Sequence, residues 1–291
     1  MKFAYYPGCS LESTAKEYDI STREVFRALD IELAELDDWN CCGSSVVSSS
    51  DYLLSLALPA RNLAISEKEN LDMVVPCPEC YLKQWKVSDS IKAEPEMLDK
   101  LNKTLDGTGL TLKGSVDVKH PVYVLVNDLG LEKLKEKVIK PLEGLKVIPY
   151  YGCVMIKPPR KNKLESAENP SSLDRIITTI GAEVMPFDSK VKCCGGPLML
   201  TNREVMLKLT YGLLKEAKDS GADCIITACP LCHMALDARQ IEVGKAYNEK
   251  IDMPILYFTQ LVGLALGIGP KKLGLDKNLV YTEKLIKSLK M

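Results

Sequence analysis

The sequence predicts an α/β protein built from two duplicated domains, each with a small, mainly parallel sheet and flanking helices. The first observation is a doubled cysteine spacing. Ten of the eleven cysteines form two sets, Cys9, Cys41, Cys42, Cys77 and Cys80, then Cys153, Cys193, Cys194, Cys229 and Cys232, with 34 residues between the adjacent pair and the closing C-x-x-C in both. The second is that the flanks repeat. Tyr5-Tyr6-Pro7-Gly8-Cys9 matches Tyr150-Tyr151-Gly152-Cys153, Asn40-Cys41-Cys42-Gly43 matches Lys192-Cys193-Cys194-Gly195, and Val74-Val75-Pro76-Cys77 matches Ile226-Thr227-Ala228-Cys229. The third is length. A chain of 291 residues holds about two average domains, and a period near 150 residues is far too long for a solenoid. The division expected is 1–144 and 145–291.

The elements follow in order. Residues 2–6, 73–75, 147–150 and 224–227 are short apolar runs of strand character, each leading directly into a cysteine segment. Residues 13–29, 52–68, 203–219 and 231–247 repeat apolar positions at three and four, the helical period. Pro78 and Pro230 stand where a first helical turn tolerates proline, since the missing N–H has no partner there anyway. Strand, cysteine loop, helix is the recurring unit, and it implies parallel strands. Cysteines after strand ends then gather at one sheet edge, where such sheets bind ligands. Gly43, Gly195 and Gly196 directly follow the paired cysteines and suit a turn of positive φ or a close backbone approach. The eight extra residues between Cys153 and Cys193 fall most naturally in the stretch from Lys157 to Pro170.

Composition excludes some classes. With 38 basic and 39 acidic residues, nothing favours nucleic acid as a partner. The most apolar run, Leu261 to Ile268, is far short of the ~20 residues a membrane span needs, and no secretory signal is visible at the N-terminus. A soluble, cytoplasmic chain is expected.

Cysteine chemistry narrows further. Five cysteines cannot all pair within one half, adjacent cysteines rarely form unstrained bridges, and a cytosol keeps thiols reduced. A structural zinc or a cubane iron–sulfur cluster takes four ligands. His120 and His233 are the only histidines, so mixed sites are nearly excluded. Five cysteines per half mean either one spectator in each or a cluster that takes more thiolates than a cubane.

The doubled Cys…Cys-Cys-Gly…Cys-Pro-x-Cys pattern resembles the CCG-domain family, and within it the B subunits of methanogenic CoB–CoM heterodisulfide reductases. The run Cys229-Pro230-Leu231-Cys232-His233-Met234 to Gln240 is similar to those subunits in particular. The resemblance implies two noncubane [4Fe-4S] clusters, each held by five cysteines: Cys9, Cys41, Cys42, Cys77 and Cys80 for one, Cys153, Cys193, Cys194, Cys229 and Cys232 for the other. It implies as substrate the mixed disulfide of coenzyme M and coenzyme B, held so that one sulfur ends on each cluster. As partners it implies the reductase's ferredoxin-like C subunit, its flavin-containing A subunit, and a hydrogenase or formate dehydrogenase upstream. The chain itself has no dinucleotide fingerprint and no ferredoxin cysteine run. A related reading is an electron-transfer subunit that passes electrons to a quinone or partner in a hydroxy-acid or succinate/fumarate oxidoreductase.

Other residues are weighed beside these. His233, next to Cys232, is a candidate proton donor to a leaving thiolate and equally a helix residue hydrogen-bonded beside the site. His120 reads as a surface residue, and Cys224 as a core cysteine on a buried strand. Lys157, Arg160, Lys161 and Lys163 read as a solvated loop that could meet the substrate's anionic groups.

Overall fold

The computed structural model describes residues 1–157 and 165–290. It contains two four-stranded sheets, one per repeat, in which every pairing is parallel. The first comprises β1 (Lys2–Tyr5), β2 (Glu32–Glu35), β3 (Met73–Val74) and β4 (Val118–Lys119), in the order β2-β1-β3-β4. The second comprises β5 (Lys146–Tyr150), β6 (Glu183–Val184), β7 (Cys224–Thr227) and β8 (Ile255–Tyr257), in the order β6-β5-β7-β8. Central strands are apolar throughout because helices cover both faces of a parallel sheet. All four residues of β7 are accordingly buried, as are the last three of β1 and the last four of β5.

The chain forms two compact units that interleave along the sequence: Met1–Thr14 with Asp30–Pro121, and Ala15–Leu29 with Val122–Met291. In the second, the helix Lys16–Ala28 packs on the helix Phe258–Ala265. Ser21 Oγ meets Thr259 Oγ1 at 2.7 Å, and the Tyr18 and Tyr257 rings stack at 4.1 Å. The fully buried Tyr18, Val25 and Phe26 carry the apolar face of that helix.

The expected helices are found as Lys16–Ala28, Tyr52–Lys68 and Arg203–Asp219. Two of them start the same way in both repeats. Asp51 accepts from the Leu54 N–H and Asn202 from the Val205 N–H, satisfying a first-turn donor. The span 231–247 is not one helix. It divides into Pro230–Leu236 and Gln240–Tyr247, because Asp237 turns its carboxylate to the Leu279 and Val280 N–H groups at 2.7 and 3.1 Å. Gln240 then clasps the Met253 backbone through both its amide atoms.

His120 is a correction to the surface reading. It is fully buried, with Nε2 2.6 Å from the Pro76 carbonyl and its ring edge-on to Tyr81. Cys224 lies fully buried on β7, and burial pushes its thiol up. Arg160, Lys161 and Lys163 fall outside the described residues, and Lys157 is exposed. Among the described residues no helix is long and apolar enough to cross a membrane.

Candidate metal centre

Both cysteine sets lie at the carboxyl ends of the strands. In each sheet the order reverses between the two central strands, and that switch point is where open α/β sheets bind ligands. Cys9 follows β1 and Cys77 follows β3, the strand paired with it, while Cys41 and Cys42 follow β2. Cys153, Cys229 and the pair Cys193-Cys194 follow β5, β7 and β6 in the same way.

Each closing C-x-x-C opens a helix. Cys77 caps Pro78–Ala93 and Cys229 caps Pro230–Leu236, with the proline in the first turn, so Cys80 and Cys232 also belong to that turn. A helix N-terminus favours negative charge and so favours thiolate over thiol. Gly43 and Gly195, with φ of 78° and 81°, turn the chain after each Cys-Cys pair in the left-handed region that glycine enters without strain. Gly196 is needed for space instead, since a Cβ there would stand 2.7 Å from the Leu231 side chain.

The folded chain brings all five cysteines of each set together. Cys42 Sγ lies 3.2 Å from Cys80 Sγ and Cys41 Sγ lies 3.9 Å from Cys9 Sγ, while Cys194 Sγ lies 3.5 Å from Cys232 Sγ. These separations are well beyond a disulfide bond of about 2.05 Å, and none of the eleven cysteines is in a disulfide. The N–H groups of Gly195 and Gly196 donate to Cys193 Sγ and Cys194 Sγ at 3.4 and 3.3 Å. Accessibility divides each set alike. Cys42, Cys77 and Cys80, like Cys194, Cys229 and Cys232, are buried, whereas Cys9 and Cys41 are exposed and Cys153 and Cys193 half-buried.

Electrostatics shows what such a pocket demands. Sharing a hydrogen bond with Cys42 in which it keeps the proton, then contact with Cys77 and burial, hold Cys80 well above the ordinary thiol value, and Cys232 is raised likewise by Cys194 and Cys229. Burial and neighbouring Cys41 push Cys9 up to about 11. Accepting from Cys153, Cys193 is lowered to about 2. Five thiolates cannot share one pocket without a compensating cation, so protons are shared among the thiols. The donor set is soft sulfur with N–H support, which suits thiophilic iron, and five sulfurs exceed the four of tetrahedral zinc. Among the described residues no three or more His, Cys, Asp and Glu side chains are grouped so as to hold a single metal ion. The sulfurs instead follow one another in short chains, Cys80 between Cys42 and Cys77, and Cys193 between Cys153 and Cys194.

Two tyrosines that the sequence reading passed over hold this arrangement. Tyr6 and Tyr150 each stand three residues before the leading cysteine, and both are fully buried. Tyr6 donates to the Asn40 carbonyl at 2.9 Å and Tyr150 to the Lys192 carbonyl at 2.8 Å, so each ties the end of a central strand to the loop of its Cys-Cys pair. Burial, with the cysteines adding to it, raises both phenols far above their ordinary value. Their identical offset in the repeat was the available signal.

His233 sits beside the second set in a polar pocket of its own unit. Its Nε2 faces the Ile255 carbonyl at 3.1 Å, its Nδ1 lies 3.9 Å from Glu17 Oε1, and its ring stacks on Tyr257 at 4.2 Å. Asn278 completes the surround. Burial lowers His233 to about 4 and, together with nearby Asp237, raises Glu17, so the imidazole is neutral at neutral pH.

Comparison with known proteins agrees with this layout. The profile of the CCG cysteine-rich domain matches residues 3–83 and 147–237. The chain is 37% identical over 284 residues to the 8-methylmenaquinol:fumarate reductase membrane anchor subunit of Wolinella succinogenes, covering 98% of this chain and 99% of that protein. It is 32% identical over 282 residues to the B subunit of the ferredoxin:CoB-CoM heterodisulfide reductase of Methanosarcina mazei, covering 96% and 94%. A crystal structure of a hypothetical protein from Helicobacter pylori superposes with a TM-score of 0.77 at 15% identity, a likeness of fold; it covers 96% of this chain, which spans 52% of that protein.

Proposed function

Because the chain belongs to the CCG cysteine-rich domain family, we propose that it is the iron–sulfur subunit of a multi-subunit oxidoreductase that reduces a small-molecule disulfide. The ten cysteines hold two noncubane [4Fe-4S] clusters, five thiolates to each, in duplicated domains spanning 1–144 and 145–291. The substrate is the mixed disulfide of coenzyme M and coenzyme B, which takes up two electrons and two protons to give two thiols. The observation that carries this reading is the accessibility split shared by both sets. Three buried cysteines anchor each site from the core side, and the other two, Cys9 with Cys41 and Cys153 with Cys193, stand at its open edge, where a substrate sulfur can approach.

A bound cluster supplies electrons one at a time together with a thiophilic iron for a substrate sulfur. The protein's part is to hold and shield. Tyr6 and Tyr150 fix the paired cysteines against the strand ends, and the buried cysteines keep water from the inner side of each site. His233 is the proton-handling residue of the second site. Its neutral imidazole is held between the Glu17 carboxyl and the Ile255 carbonyl. Electrons arrive through the ferredoxin-like C subunit from the flavin-containing A subunit, fed by a hydrogenase or formate dehydrogenase, and the complex works in the cytoplasm.

A second reading is favoured by the 37% identity to the fumarate reductase subunit: electron transfer between a quinol and a partner protein. One assay separates the two. Anaerobically reconstituted protein with reduced viologen should consume the CoB–CoM disulfide and release two thiols per two electrons, with Cys41→Ser and Cys193→Ser variants each inactive. Fully loaded protein that ignores the disulfide but oxidises a menaquinol analogue would establish the second reading instead.

A further inference from the structure

The two cysteine sites differ in the charge built against their buried side. Lys83 follows Cys80 by three residues on the helix Pro78–Ala93, so both point to one helix face. Its side chain is only 5% exposed, and its ammonium donates to Ser48 Oγ in the segment that follows Cys41-Cys42-Gly43. It acts electrostatically on Cys42, favouring the thiolate. Burying an ammonium is costly unless something negative compensates it; burial lowers Lys83 below the ordinary lysine value, and Glu79, then Cys42, act against that shift. Glu79, one turn earlier on the same helix, acts on Cys42 in the opposite sense, and it is half-buried. In the second repeat the positions of Glu79 and Lys83 are taken by Leu231 and Ala235. Among the described residues the cation that acts on Cys193 there is Lys157, which is exposed and therefore screened by water.

We propose that Lys83 is a tuning residue of the first site, whose buried ammonium raises the reduction potential of the cluster held by Cys9, Cys41, Cys42, Cys77 and Cys80, with an alanine, Ala235, at the matching position of the second repeat. This rests on the cluster reading above. Reduction adds negative charge, and a fixed cation in a medium of effective dielectric near 20 stabilises the reduced form more than the oxidised one. The two sites of one duplicated protein are thereby made unequal, and an electron entering the chain has a preferred side.

The test is a redox titration followed by electron paramagnetic resonance on reconstituted protein. A Cys153→Ser/Cys193→Ser background carries the first cluster alone, and a Cys9→Ser/Cys41→Ser background carries the second. Lys83→Met, which keeps the apolar stem, should shift the first cluster's one-electron equilibrium about tenfold towards the oxidised form, or about 59 mV lower. Lys83→Arg should restore it, Glu79→Gln should move it the other way, and none should move the second cluster. An unchanged midpoint in Lys83→Met, or equal shifts in Lys83→Met and Lys83→Arg, would overturn the assignment and leave the clusters standing. A wild-type protein that takes up no iron defeats the cluster reading itself, and this inference with it.

Discussion

Directly after the last cysteine of its set, the first unit packs Tyr81 against His120, and the second His233 against Tyr257. These are equivalent positions with the residues exchanged. Tyr81 and His233 both follow the last cysteine of their set, and strand register pairs Val74 with Lys119 as it pairs Ile226 with Leu256, so His120 corresponds to Tyr257. Each repeat therefore pairs one tyrosine ring with one histidine ring, with helix and strand exchanging which they carry. What surrounds the histidine differs. In the first unit its Nε2 meets the Pro76 carbonyl, whereas in the second Glu17, Asn278 and the stacked Tyr257 enclose it. Asp237 lies one turn beyond His233, where the first repeat has Trp85. Duplication has kept the thiolate frame and changed which titratable groups stand around it, Glu79 and Lys83 in the first repeat and Asp237 in the second.

That comparison can be broken in several ways, beginning with the largest effect. Cys42→Ser should empty the first site of iron while the second keeps its own, and Cys224→Ala should change neither; iron counted per chain decides. Next comes the histidine exchange. His233→Phe should lower the disulfide turnover about a hundredfold, the usual contribution of a positioned proton donor, while Tyr81→Phe at the matching position leaves it close to wild type. Equal losses at both would mean that the ring pair serves packing alone.

The third effect is on stability. Burial raises Asp237 from 3.8 to about 6, against the two N–H groups that favour its anion. Between these values the unfolded chain ionises and the folded chain does not, so stability is highest below pH 3.8 for this group and falls as pH rises to about 6. Asp237 is 4% exposed, and the cost above pH 6 is roughly 3 kcal/mol. Denaturant unfolding of Asp237→Asn should lose that slope. Smallest are the tyrosine tethers. Tyr150→Phe should cost about 1 kcal/mol, one buried hydrogen bond. Tyr6→Phe should cost less, because the Asn40 carbonyl also accepts from Asn62 Nδ2 at 2.9 Å.

The central strands and the strand-to-cysteine connections were legible because apolar runs and cysteines recur at fixed offsets, and recurrence removes coincidence. Edge strands were not. β2 reads Glu-Leu-Ala-Glu and β4 is two residues long, so neither has a run that pattern reading detects. The helix Lys16–Ala28 was legible as a helix, but its packing on Phe258–Ala265 depends on contacts more than 200 residues apart, which no local signal carries. His120 and Lys83 were missed for one reason: polar residues read as surface, and only the fold shows the Tyr81 ring beside the one and the Ser48 hydroxyl that accepts from the other. The break at Asp237 has the same origin, since the N–H groups that draw its carboxylate away come from Leu279 and Val280.

Whether each five-cysteine set holds a polynuclear iron–sulfur cluster is tested most directly by iron, zinc and acid-labile sulfide measured on the anaerobically purified wild-type protein. About eight irons with matching sulfide and no zinc per chain are expected for two four-iron clusters, whereas about one zinc per set with no labile sulfide would contradict the account.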